Sequence, residues 1–135
     1  MTTLVVTPLK SVGTIIFGES KEIVRAKLGG SFKEFRKTKS SVNPVDDFGW
    51  CHVYYDASGK VEAIEVFNDN NTVLSLDGTN LFSLDFADLA QILQQKDAAA
   101  RCCPPDITSK KLGIAAYGET GKTETILVGA KGYVQ

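Results

Sequence analysis

The stretch WCHVYYDASGKVEAIEVF, residues 50–67, decides the fold. Its two runs, Trp50–Asp56 and Val61–Phe67, are rich in the β-branched and aromatic residues that suit a pleated, half-buried surface. Between them stands Ala57-Ser58-Gly59-Lys60, a length and composition that turns a chain back on itself, so the stretch reads as an antiparallel hairpin. Side chains alternate along a strand, which puts Cys51, Val53 and Tyr55 on one face and His52, Tyr54 and Asp56 on the other.

Upstream, Thr14–Phe17 reads as a short buried strand. Ser20 can accept a hydrogen bond from the free amides of a helix that starts at Lys21, places Ile23, Val24 and Leu28 on one side and stops at Gly29-Gly30. A polar loop is expected from there through Pro44. Downstream, Asn68–Asn71 turns the chain, and Thr72–Leu76 and Asn80–Leu84 are extended pieces around Asp77-Gly78. Asp85 is the N-cap of a second helix reaching about residue 96: Asp88 sits at N3, Leu84 and Leu89 form the hydrophobic staple, and Phe86, Leu89, Ala90 and Leu93 keep the helical spacing. Pro104-Pro105 closes that region, and Leu112–Tyr117 and Glu124–Val128 form a last pair of strands around a glycine-rich turn.

The order strand, helix, strand, strand thus occurs twice, over about residues 12–70 and 71–135. Thr14–Phe17 aligns with Thr79-Asn80-Leu81-Phe82, and Lys60–Ile64 with Lys122–Ile126. The predicted fold class is α+β: one domain over residues 1–135, made of duplicated βαββ units that form a largely antiparallel sheet with both helices on one face, the other face being left for docking.

With 135 residues, 43% of them hydrophobic and 23% charged, the chain fills one core and lies far from the compositions that stay disordered. No apolar run reaches the roughly twenty residues that cross a bilayer. The first eight residues show neither a basic n-region nor a small-residue cleavage site, and three cysteines cannot all pair, so a cytoplasmic location with reduced thiols is expected. The net charge of −1 hides an asymmetry. Residues 1–39 carry eight bases against three acids, residues 40–99 two against ten, and residues 100–135 five against three. So acidic a middle segment repels phosphates and favours a basic protein surface over nucleic acid as partner. Lys33, Arg36, Lys37 and Lys39 are read as a solvated loop.

Three motifs invite chemistry. Ala116-Tyr117-Gly118-Glu119-Thr120-Gly121-Lys122-Thr123 fits a relaxed phosphate-binding loop, in which Lys122 would reach the phosphates and Thr123 a magnesium ion, provided that the loop opens a helix. The residues after it favour a strand instead, so the expectation is a hairpin turn. Cys51, His52, Cys102 and Cys103 are ligand types for zinc, but each pair is adjacent in sequence, and strand neighbours point to opposite faces. His52 is the only imidazole available to activate a nucleophile, and Cys51 faces away from it. The expectation is therefore no catalytic residue, no metal and no cofactor.

Phe17-Gly18-Glu19-Ser20 with Val24 and Leu28-Gly29, then Asp47–Asp56, Val61–Glu65, Gly78–Phe82 and Lys111-Leu112-Gly113-Ile114, together resemble small bacterial proteins of tandem βαββ type, similar to the immunity proteins encoded beside polymorphic or contact-dependent growth-inhibition toxins. The resemblance spans nearly the whole chain. It implies a protein that neutralises a toxin domain, often a nuclease, by covering it. Charge alone then nominates Asp46, Asp47, Asp56, Glu62, Glu65 and Asp69 as the partner-binding set, with Trp50 or Tyr54 as an aromatic anchor. Two other readings stand beside it: a nucleotide-binding enzyme using the 116–123 loop, and a protein-interaction domain unrelated to toxins.

Overall fold

The computed structural model describes residues 2–36, 44–119 and 121–135. In chain order the elements are β1 (Thr2–Thr7), β2 (Ser11–Val12), β3 (Ile15–Ile16), α1 (Lys21–Leu28), β4 (Lys33–Arg36), β5 (Pro44–Asp47), β6 (Cys51–Tyr55), β7 (Val61–Phe67), β8 (Thr72–Leu76), β9 (Thr79–Asn80), a 3₁₀ turn (Leu81–Ser83), α2 (Phe86–Lys96), β10 (Arg101–Cys103), β11 (Asp106–Ser109), β12 (Ile114–Tyr117) and β13 (Thr125–Gly129). The class is α+β with mostly antiparallel sheets.

The local signals act where they are written. In the β6–β7 turn the Asp56 carboxylate accepts the Ser58 and Lys60 amides at 2.8 and 3.0 Å, and Gly59 takes the positive φ of 74° that the reversal requires. The Ser20 hydroxyl accepts the Ile23 amide, and α1 stops at Gly29. Asp85 caps α2 through the Asp88 amide at 2.9 Å. Phe86, Leu89, Ala90 and Leu93 are the residues that α2 buries. Leu89 and Leu93 are fully covered, each worth roughly 1.5–3 kcal/mol of apolar transfer.

Eight antiparallel strands form the large sheet, in the order β10-β11-β12-β13-β7-β6-β5-β4. Each helix is followed by four strands of this sheet rather than the expected two. The polar stretch expected to be loop holds β4 and β5, so Lys33 and the backbone of Arg36 are strand, whereas Lys37 and Lys39 lie outside the described residues. The two four-stranded runs meet symmetrically at β7 and β13: Glu65 faces Leu127, with Ile64 opposite Val128 and Val66 opposite Ile126. Each helix start is also tied to the turn before its central strand, Ser20 bridging Lys60 and Asp85 bridging Lys122.

A second sheet, β3-β2-β1-β8-β9, replaces the single expected one, and its β1–β8 pair is parallel. It joins the same core: Leu4, Val12, Ile15 and Leu74 pack in one cluster with Val24, Leu89 and Leu93 of the helices and with Val53, Ile64, Ile114 and Ile126 of the large sheet. The face of the large sheet turned away from this cluster is called the outer face below. The final segment turns back after β13, with the Ala130 amide bonded to the Glu62 carbonyl at 2.8 Å and Tyr133 packed against Gly129, where an added Cβ would lie 2.9 Å from that of Tyr133. Among the described residues no helix is long and apolar enough to cross a membrane.

Candidate functional site

Register across the large sheet places one residue of every strand in a single outer row: Lys33, Asp47, His52, Glu65, Leu127, Ala115, Thr108 and Arg101. Directly opposed residues of antiparallel strands share a face, so these side chains line up across it. In the first half of the row His52 stands between two carboxylates, its Nε2 3.5 Å from Asp47 and its Nδ1 3.8 Å from Glu65.

Aromatic rings surround that imidazole. Phe35 and Phe67 meet it edge to face at centroid distances of 5.1 and 4.9 Å, Tyr54 lies at 6.4 Å, and Tyr133 lies 6.4 Å beyond Tyr54. The Tyr54 hydroxyl donates to Glu65 at 2.8 Å, which fixes both side chains. Burial, and then this bond to a carboxylate, push the phenol above its ordinary range, so Tyr54 stays a neutral donor. Phe35 is exposed, and His52, Tyr54, Phe67 and Tyr133 are half-buried. Beside Asp47 a notch of about 290 Å³ is lined by Phe32, Phe48 and Lys33. This is a strip of aromatic surface edged by acids, on a sheet face that strand alternation would ordinarily give to small polar residues.

Of the six nominated acids, Asp47 and Glu65 come together here, and Glu62 lies on β7 near them in sequence. Asp46 does not belong to the surface. It pairs with Val53 on the core face and is fully buried, its two oxygens bonded to Arg25 Nε at 2.7 Å and Nη2 at 2.8 Å, with the Tyr55 hydroxyl donating at 2.8 Å. Arg25 also reaches Glu34 at 2.9 Å and stacks its guanidinium 4.4 Å over Phe32. The pairing with Asp46 raises the guanidinium pKa further, and burial foremost, then the bond to Asp46, raises that of Tyr55. Asp46 therefore locks α1 to β5. Asp56 is occupied with its turn, and Asp69, although exposed, accepts the Asn71 amide at 2.9 Å. Trp50 packs against the core, which leaves Tyr54 as the aromatic on the outer face.

Sequence reasoning missed Phe35 and Phe67 as surface partners of His52, and Tyr133 as the ring beside Tyr54. The usable signal was alternation, since Phe67 is two positions from Glu65 just as Tyr54 is two from His52. Phe35 and Tyr133 carry no such mark, because only the strand order brings them in.

The other two motifs resolve in the geometry. Residues 118–124 join β12 to β13, a strand where a phosphate-binding loop needs a helix, and the Thr123 hydroxyl is buried, donating to the Leu84 carbonyl at 3.3 Å. Cys51 lies on β6 facing the core, where burial and then the nearby Asp47 push its thiol up to about 12. Cys102 and Cys103 lie on β10, five strands away, about 24 Å at the usual strand spacing, so these ligand types do not share a centre.

Comparison of the chain with protein-family profiles, with curated proteins and with solved structures gives no match.

Proposed function

We propose that this chain is an immunity-type binding protein that neutralises a cognate bacterial toxin domain, of nuclease kind, by docking on its cationic surface in the cytoplasm. The observation that carries this reading is the outer-face strip, in which Asp47 and Glu65 flank His52 among Phe35, Tyr54 and Phe67. A nuclease must gather phosphates with Lys and Arg. A rigid surface that offers carboxylates can attract the same cations, speed encounter and exclude the substrate. The aromatic rings supply what charge alone does not, a large contact area at low entropic cost, and the Phe32–Phe48 notch can seat one apolar side chain of the partner.

The resemblance of the sequence to tandem βαββ immunity proteins points the same way. In this reading the two halves descend from one unit with a helix before its meander. The matched pairings Ser20 with Lys60 and Asp85 with Lys122, and the mirrored register about Glu65 and Leu127, support that descent. Only the first half then kept the acidic-aromatic strip.

The experiment is co-expression with the toxin domain that this reading expects to be encoded immediately beside this gene. Growth is expected to be restored by the wild-type chain and not by the Asp47→Asn/Glu65→Gln variant. Full killing in the presence of the folded wild-type chain would remove the immunity reading and leave a protein-interaction domain of other purpose.

A further inference from the structure

The second half of the outer row departs from the first. At the places opposite His52, Asp47 and Lys33 across the Glu65–Leu127 centre stand Ala115, Thr108 and Arg101. A hollow of about 690 Å³ opens there, lined by Thr108 and Arg101 of the sheet, Lys110 and Lys111 after β11, Leu9, and Lys131 of the final segment. Its volume lies within the roughly 300–1,000 Å³ usual for small-molecule sites.

Charge gives the hollow its character. Among the described residues Arg101, Lys110, Lys111 and Lys131 enter no ion pair, whereas Arg25, Lys27 and Lys96 are each matched to carboxylates elsewhere. Lys111 Nζ instead donates to the Lys96 carbonyl, at the end of α2, at 3.3 Å. One carboxylate, Asp97, also lines the wall: it accepts the Ser109 hydroxyl at 2.8 Å and the Ala99 amide at 3.0 Å, and with the Lys111 amide and charge beside it, it offsets part of the positive field and leaves Arg101, Lys110 and Lys131 as the cations in excess. The three remaining cations around one concavity repel one another, and an anion seated between them removes that repulsion. Leu9, Ala99 and the Thr108 methyl offer the apolar part of the wall.

We propose that this hollow binds a small anionic ligand, a phosphate or carboxylate carried on an apolar body, with Arg101, Lys110 and Lys131 holding the charged end. The site lies on the opposite half of the sheet from the aromatic strip and does not depend on it.

The test is fluorescence titration of the purified chain with 1-anilinonaphthalene-8-sulfonate, an apolar anion, at low salt. One equivalent is expected to bind, to weaken as salt rises, and to be displaced by phenyl phosphate or benzoate, the stronger competitor identifying the charged group. The Arg101→Gln/Lys131→Gln variant is expected to bind about tenfold more weakly, since two charge-assisted contacts are lost. Arg101→Lys and the distant Lys60→Gln are expected to retain affinity. All of these positions are exposed, so each variant is expected to fold, which circular dichroism checks. Equal affinity of the double variant, displacement by neither competitor, or equally tight binding of uncharged N-phenyl-1-naphthylamine would overturn the proposal.

Discussion

Replacing Asp46 with alanine is expected to cost about 3–5 kcal/mol of unfolding free energy, the usual penalty for removing one partner of a buried ion pair. The carboxylate is fully covered, and Arg25 retains only 24% of its side-chain exposure. Without Asp46 the guanidinium keeps Glu34 at the rim but loses two bonds, and the Tyr55 hydroxyl loses its acceptor inside the core. Asp46→Asn keeps the shape and one acceptor and is expected to fall between wild type and Asp46→Ala. Urea unfolding of the three proteins checks this. If Asp46→Ala loses less than about 1 kcal/mol, a value typical of exposed pairs, the carboxylate is not the lock between α1 and β5.

The second large effect concerns docking. Tyr54→Ala removes a ring at the centre of the strip and the hydroxyl that holds Glu65, so partner affinity is expected to drop by about 2–4 kcal/mol, the range of interface hot spots. Asp47→Asn/Glu65→Gln is expected to act differently. Its association rate falls and loses much of its salt dependence, because complementary charge acts chiefly on encounter. Asp56→Asn and Asp69→Asn are expected to leave affinity near wild type, since turn geometry occupies those carboxylates. Surface plasmon resonance at two salt concentrations separates the rates. Equal losses from all four acidic positions would favour a diffuse acidic field over a defined strip.

What was legible in the sequence was what is local. The 50–67 hairpin, the Ser20 and Asp85 caps and the stop at Gly29 depend on residues within a few positions of one another, and they stand where their signals are written. Strands β4 and β5 were not legible. Lys33-Glu34-Phe35-Arg36 has no apolar alternation, and it is extended because β5 pairs with it and because its place at the sheet edge tolerates charge. The parallel β1–β8 pair joins residues about seventy positions apart, which no window reveals. Asp46 was read as surface because it is charged. The counter-charge that makes its burial possible, Arg25, stands 21 positions earlier on a helix. The outer-face strip mixes both cases. Glu65 and Asp47 were nominated from charge, but the aromatic half of the strip depends on β4, β6 and β7 meeting at His52 and on the final segment reaching Tyr54.

His52 is the only histidine in the chain and sits at the centre of that strip, so its ring protons report on the site without ambiguity. Proton NMR of the wild-type chain during titration with the purified toxin domain tests docking most directly. The account predicts that the two imidazole resonances shift progressively and saturate at one equivalent, and that the shift is lost in Tyr54→Ala at the same partner concentration. A complex that forms at one equivalent while both His52 resonances stay in place would contradict it, because the partner would then be bound elsewhere on the molecule.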